Sequence, residues 1–174
     1  MPMILVTPLS AVPDAIRIHT PSHIVTLLSP EHMIETPTGF AAERHLRLAV
    51  NDIADPMLGD DPPAEEHVQQ LLTFARGWDA DAPMLVHCWA GVSRSMAAAF
   101  AVLCDRLGPG SELALAREMR ARAPHAYPNR LLVRLADNAL GREGEMVRAV
   151  ESIGIGTLVS EGFPVELPIA LGKT

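Results

Sequence analysis

The chain is short of cysteine and of long apolar runs. Cys88 and Cys104 are the two cysteines in 174 residues, which excludes a small scaffold held together by several disulfides. We expect both thiols to be reduced, as in a cytoplasmic protein. No apolar run reaches the roughly 18 residues of a membrane-spanning helix. The first residues lack the basic start and long apolar stretch of a secretory signal, so we expect none.

Positive charge is scarce as well. Lys and Arg together number 14 against 21 Asp and Glu, and the formal net charge is −7 at pH 7. Nucleic acids and anionic membrane surfaces bind basic stripes, and the sequence contains none, so we expect neither as a partner. An acidic protein that binds an anionic substrate must create its positive field locally.

The sequence does contain an alternation of strand-like and helix-like segments, and 48% of its residues are hydrophobic. Short apolar runs predict strands at residues 4–6, 23–28, 45–50 and 84–86. Apolar residues at helical spacing predict helices at about 10–18, 63–77, 93–108, 112–123, 129–140 and 143–153. This pattern predicts an α/β fold with a mainly parallel central sheet, flanking helices and a helical C-terminal part.

The same pattern predicts one domain rather than two. Residues 1–154 contain all of the predicted elements, and a chain of this length can bury a sizeable core. Residues 155–174 have no clear period. We expect them to form a tail that is either packed on the domain or partly mobile.

One stretch lies between the strand at 84–86 and the apolar helix after it. It reads His87-Cys88-Trp89-Ala90-Gly91-Val92-Ser93-Arg94-Ser95. A tight loop between strand and helix turns backbone N–H groups inward, and the helix adds the positive end of its dipole. Arg94 would supply a planar, two-pronged donor. We therefore expect a site for a tetrahedral oxyanion, in which the thiolate form of Cys88 is favoured as a nucleophile.

The His-Cys-x5-Arg-Ser arrangement resembles the active-site loop of the cysteine-dependent protein tyrosine phosphatase superfamily. The short chain is similar to its dual-specificity-like branch. The resemblance implies a phosphatase-like fold and a phosphomonoester hydrolase that needs no metal and no other cofactor. Cys88 would form a cysteinyl-phosphate, and Arg94 would hold the phosphoryl oxygens. The phosphate-binding loop would consist of Trp89, Ala90, Gly91, Val92, Ser93 and Arg94.

Three supporting residues each have two interpretations. His87 would bond to the loop carbonyls from below, or it would be an ordinary core histidine. Ser95 would donate its hydroxyl proton to the Cys88 sulfur, or it would only lie in the first helical turn. Asn129 follows a proline, as in a late helix of the dual-specificity branch, where the asparagine braces the loop. Because the family's Gly-Phe does not follow it here, Asn129 would otherwise be only a helix cap.

A phosphate ester also needs an acid for its leaving oxygen and a base that later activates water. In the resembling family one Asp does both, on a loop that follows a strand. Asp52 in Val50-Asn51-Asp52 best matches this pattern and is our first choice. Asp55, which precedes Pro56, is the alternative.

The substrate is expected to carry a single phosphate. No residue between Cys88 and Arg94 is basic, whereas relatives acting on polyphosphorylated inositols usually have Lys or His there. Carboxylates near the proposed mouth would also repel a polyanion; they belong to Asp52, Asp55, Asp60, Asp61, Glu65 and Glu66. We therefore predict a phosphorylated protein, with phosphotyrosine as the favoured group. The alternatives are a phospholipid, inositol or small-molecule phosphate, or a phosphate-binding module without turnover.

Overall fold

A computed structural model describes residues 2–171 and places five strands in one sheet. The strands are β1 (Met3–Pro8), β2 (His23–Leu28), β3 (His45–Ala49), β4 (Met84–Cys88) and β5 (Val165–Pro168). Their order across the sheet is β3-β2-β4-β1-β5. Strands β1 to β4 are parallel, and β5 runs antiparallel to β1. The predicted α/β fold with a mainly parallel sheet is confirmed.

Six α-helices lie within the described range, and they divide unequally between the two faces of the sheet. The helices are α1 (Val12–His19), α2 (Glu65–Arg76), α3 (Arg94–Leu107), α4 (Glu112–Arg122), α5 (Arg130–Leu140) and α6 (Glu145–Ser152). Helix α1 covers one face, while α3 covers the other and packs in turn against α2, α4 and α5. None of these helices is both long and apolar enough to cross a bilayer.

The strand sequences explain why both faces are covered. Side chains alternate between faces along a strand, so Ile4 and Val6 join the large core while Leu5 joins the smaller core under α1. Strand β4 lies between β2 and β1, and each of its residues is buried. Its last residue, Cys88, is therefore at the middle of the carboxyl edge of the sheet, where ligand sites of parallel sheets lie.

The tail contains a regular element that the sequence pattern does not predict. Val165 pairs with Val6, and Met3 pairs with Pro168, so that β5 extends the sheet beyond β1. Val165 and Leu167 are buried in the large core. A four-residue segment is too short for its alternation to be recognised, and only the pairing with β1 makes it a strand.

Candidate active site

The loop after β4 is held from outside by its carbonyl groups. Each of four carbonyl oxygens accepts a backbone N–H from a neighbouring segment: Trp89 O from Leu9 (3.1 Å), Ala90 O from Gly162 (2.8 Å), Val92 O from Tyr127 (2.9 Å) and Ser93 O from Asn129 (3.1 Å). Because these carbonyl groups are engaged outside, we expect the amide groups of the loop to face the interior of the bend. Such a nest of N–H groups is suited to an oxyanion.

Gly91 is required by both the conformation and the packing of this loop. Its φ is +69°, a left-handed conformation that residues with a side chain rarely adopt. A Cβ at this position would lie 2.6 Å from the backbone nitrogen of Pro8 and 2.8 Å from the carbonyl carbon of Thr7. The loop can therefore rest against the end of β1 because residue 91 has no side chain.

Cys88 and Ser95 meet beneath the loop. The Sγ of Cys88 and the Oγ of Ser95 are 3.1 Å apart, and both residues are buried. A thiolate can only accept, so with ionised Cys88 the Ser95 hydroxyl is the donor. Ser95 therefore contacts the Cys88 sulfur and also lies in the first turn of α3. Cys104 is a separate free thiol buried within α3, where burial raises its pKa.

Arg94 is buried with part of its donor capacity unused. Its side chain is 7% exposed, and Nη1 donates to the carbonyl of Val50 at 2.9 Å. Within the described residues, Nε has no hydrogen-bond partner. A buried donor without an acceptor costs on the order of 1–3 kcal/mol, and a phosphoryl oxygen bound in the loop would supply the acceptor.

The two candidate acids have different environments. Asp52 lines the same cleft as Cys88 and Arg94. Its Oδ1 accepts from the Ser93 hydroxyl at 2.7 Å and from the Asn129 amide at 2.8 Å. The Oδ1 of Asp55 instead accepts the backbone N–H of Met57 at 3.0 Å, which caps a short 3-10 turn. The structure therefore brings Asp52, and not Asp55, into the cleft.

Asn129 makes hydrogen bonds to α5, to the loop and to the segment that carries Asp52. Its Oδ1 caps α5 by accepting the N–H of Leu132 at 2.9 Å. Its Nδ2 donates to Asp52 and, at 3.1 Å, to the carbonyl of Ile53. Its own N–H donates to Ser93 of the loop. One side chain at the start of α5 thus connects the loop with the segment that carries Asp52.

His87 begins a buried polar chain that the sequence analysis missed. Its Nδ1 is 3.3 Å from the carbonyl oxygen of Cys88, and its Nε2 is 2.7 Å from the hydroxyl of Thr26. The same hydroxyl is 2.8 Å from Nε2 of His45, whose Nδ1 is 3.0 Å from the hydroxyl of Thr36. Burial is the main cause that lowers the pKa of both imidazoles to about 4, so both are neutral at neutral pH.

The neutral state fixes one consistent direction of donation along this chain. If His87 donates from Nδ1 to Cys88 O, its Nε2 accepts from Thr26. Thr26 then accepts from His45, and His45 accepts from Thr36. Through His87, the backbone at the base of the loop is thereby tied to β2 and β3.

The cleft above Cys88 has a volume of about 440 Å³. Trp89 on its wall is 54% exposed, and its ring contacts His32 edge-on with centroids 5.0 Å apart. Tyr127, Val159 and Arg130 also line the cleft. Of these, Arg130 follows Asn129 in sequence and could have been suspected; Val159 lies in the tail and carries no sequence signal.

Comparisons with solved structures identify the fold. No protein-family model matches the sequence, and the search of curated proteins found no match. Among solved structures, DUSP15 aligns with a TM-score of 0.61 at 19% identity, over 87% of this chain and 92% of that chain. This chain has the fold of the tyrosine and dual-specificity phosphatases. The predicted phosphatase-like fold is confirmed.

Two further structures support the same conclusion about the phosphatase fold. The human tyrosine phosphatase-like serine/threonine/tyrosine-interacting protein aligns with a TM-score of 0.56 at 20% identity, over 76% of this chain and 84% of its own. PTPMT1 in complex with PI(5)P aligns with a TM-score of 0.56 at 17% identity, over 83% of this chain and 90% of its own.

Proposed function

We propose that this protein is a phosphatase that hydrolyses phosphomonoesters through a cysteinyl-phosphate intermediate. The observation that carries the proposal is the convergence of three groups on one cleft: the Cys88 thiol, the Arg94 guanidinium with its unpartnered Nε, and the Asp52 carboxylate. These groups correspond to a nucleophile, an oxyanion donor and a general acid. Each is supplied by the chain itself, so the proposed reaction requires no metal.

In the first step the Cys88 thiolate attacks phosphorus in line with the ester oxygen. The S–P bond forms as the P–O bond breaks, and the proton of Asp52 passes to the leaving oxygen. Inward-facing amides and Arg94 stabilise the charge on the three equatorial oxygens of the transition state. The hydrogen bonds from Ser93 and Asn129 fix the direction of the Asp52 carboxyl group.

In the second step water hydrolyses the cysteinyl-phosphate. Asp52, now ionised, accepts a proton from the water, whose oxygen attacks phosphorus while the P–S bond breaks. The sulfur leaves as a thiolate, and the hydroxyl of Ser95 at 3.1 Å stabilises it. Phosphate is released and Asp52 is protonated again for the next cycle.

We propose phosphotyrosine in a protein as the substrate group. The cleft of about 440 Å³ can hold an aryl phosphate, and exposed Trp89 and Tyr127 provide aromatic walls for its ring. The loop between Cys88 and Arg94 offers no Lys or His for a further phosphate.

The proposal is tested by hydrolysis of para-nitrophenyl phosphate in the presence of EDTA. We expect turnover by the wild type, loss of at least about a thousandfold for Cys88→Ser, and retention of activity by the control Cys104→Ala. Activity that survives in Cys88→Ser would refute the cysteine mechanism. Phosphate binding without turnover by the wild type would instead identify a binding module.

The substrate class is tested with a panel of phosphotyrosine peptides, phosphoserine peptides, phosphoinositide vesicles and small phosphates. We expect the highest kcat/KM for phosphotyrosine peptides. A higher value for phosphoinositides would refute the proposed substrate and leave the cysteine mechanism intact.

A further inference from the structure

Arg130 borders two neighbouring depressions of the surface. It is the first residue of α5, its side chain is exposed, and it lines the cleft that contains Cys88. It also lines an adjoining groove of about 180 Å³, together with Val133, Arg134, Val147, Val150 and Glu151. A ligand that extends from the cleft along α5 therefore passes this guanidinium first.

Arg134 lies one helical turn further along the same face of α5. Residues four apart on a helix are neighbours, separated by about 6 Å along its axis. Within the described residues, the side chains of Arg130 and Arg134 make no hydrogen bond and no ion pair, and Glu151 at the groove pairs with neither. By contrast, Arg148 and Arg142 on nearby segments are paired with Glu145 and Glu112.

These two cations are local exceptions in an acidic protein. The loop that follows Asp52 carries three carboxylates, which repel a ligand whose negative charge is spread over its whole surface. They belong to Asp55, Asp60 and Asp61. None of the three forms an ion pair with Arg130 or Arg134 in the described structure. A second anionic group is therefore favoured where the guanidiniums are, along α5.

We infer that Arg130 and Arg134 form a second anion site that selects phosphopeptides with a Glu or Asp close to the phosphorylated residue. The inference rests on the proposed function, because it assumes that the phosphoryl group occupies the cleft at Cys88. A guanidinium pairs with a carboxylate through two parallel hydrogen bonds. Because an extended peptide advances about 3.3–3.6 Å per residue and the two depressions share Arg130, the acidic residue is one of those that flank the phosphotyrosine. The groove also has valine side chains in its lining, against which the methylene groups of that residue would pack.

The test compares two phosphotyrosine peptides that differ only in carrying Glu or Gln at the flanking positions. We expect the wild type to favour the Glu peptide roughly fivefold in kcat/KM, as two exposed ion pairs allow, and the preference to weaken at high salt. Arg130→Gln and Arg134→Gln should each reduce the ratio toward one. The control Arg117→Gln, an exposed arginine on α4, should keep both the ratio and the activity.

Charge reversal adds an outcome that general damage to the site cannot produce. Arg130→Glu should prefer a Lys-flanked peptide over the Glu-flanked one. A wild-type ratio near one, or a ratio unchanged in both glutamine variants, would overturn the inference while turnover of para-nitrophenyl phosphate still supports the proposed function.

Direct binding keeps the inference testable if turnover is absent. Calorimetry with the same two phosphopeptides should then give the same preference and the same loss in the variants. The wild type could instead bind vesicles rich in anionic lipid, lose this binding in Arg130→Gln and Arg134→Gln, and show no preference between the peptides. That result would overturn the inference and identify a membrane surface as the partner.

Discussion

Asp52 and Asp55 show how neighbouring residues of one type acquire different properties. The carboxylate of Asp52 is held in the cleft by a hydroxyl and an amide donor, whereas that of Asp55 is engaged by the backbone of its own turn. Sequence spacing alone left both as candidates, because the spacing does not say which carboxylate meets Asn129 from a helix 77 residues further along.

We expect replacement of Asp52 to separate the chemistry from the binding. In Asp52→Asn the amide oxygen can still accept from Ser93, so the loop keeps its geometry while the acidic proton is lost. The kcat for a phosphotyrosine peptide should fall about 10²–10⁴-fold. The loss should be smaller for para-nitrophenyl phosphate, because nitrophenolate leaves without full protonation.

Asp55→Asn is the matched control for this measurement. Its side-chain oxygen can still cap the turn at Met57, so we expect nearly wild-type kcat for both substrates. Loss of peptide hydrolysis in Asp55→Asn alone would assign the acid to the other carboxylate.

Among the strands, β2, β3 and β4 are joined by side chains as well as by backbone hydrogen bonds. Thr26 lies directly opposite His87 in the register of β2 and β4, and its hydroxyl also meets His45 of β3. A fully hydrogen-bonded polar chain in a buried sheet stabilises one register. We infer that this series of hydrogen bonds helps to fix the position of Cys88 at the carboxyl edge of the sheet.

The lowered pKa values of His45 and His87 predict a pH-dependent stability. Both fall from 6.5 to about 4 on folding, so between these values the unfolded chain binds more protons than the folded one. The free energy of unfolding therefore increases as the pH rises through this window and decreases as the pH falls through it. We expect a loss of about 2 kcal/mol for each imidazole, or about 4 kcal/mol for the two, between pH 7 and pH 5, measured by urea unfolding.

A variant isolates this contribution from other titrating groups. His45→Gln removes one imidazole, and its amide can still bond to Thr26, so we expect a shallower pH dependence than in the wild type. The control His32→Gln alters an exposed imidazole and should leave the dependence as it is. Identical slopes in all three proteins would contradict the assignment to His45.

The sequence predicts the strands and helices whose own residues form an apolar run or a regular apolar spacing. Strand β2 and helix α3 are examples, because their many apolar residues indicate burial. The series of hydrogen bonds that joins His87, Thr26, His45 and Thr36 could not be predicted, because it depends on the register between strands that are distant in sequence. Strand β5 could not be predicted for the same reason: its partner β1 lies at the opposite end of the chain.

At the scale of the whole molecule, the C-terminal segment packs against the loop that follows β4. After α6 the chain returns past the cleft, where Val159 lines the wall and the Gly162 N–H bonds to Ala90 of the loop. His125, which is 3% exposed, packs against Phe163 with ring centroids 4.6 Å apart. The segment between α6 and β5 is therefore part of the site wall, and β5 anchors it to the sheet.

Gly162→Ala tests this connection between the tail and the loop. A Cβ at residue 162 would lie 2.6 Å from Nε2 of His125 and 3.2 Å from Ala90 O, and the buried ring has little room to move. Overpacking of this kind costs about 1–3 kcal/mol. Because β5 holds the segment on one side, we expect the displacement to reach the loop, with kcat/KM for para-nitrophenyl phosphate reduced about tenfold.

Phosphate affinity should fall in parallel with kcat/KM. The control Ser160→Ala, an exposed change in the same segment, should alter neither quantity. A Gly162→Ala protein that unfolds at a lower temperature but keeps its phosphate affinity and kcat/KM would show that the tail stabilises the fold without shaping the loop.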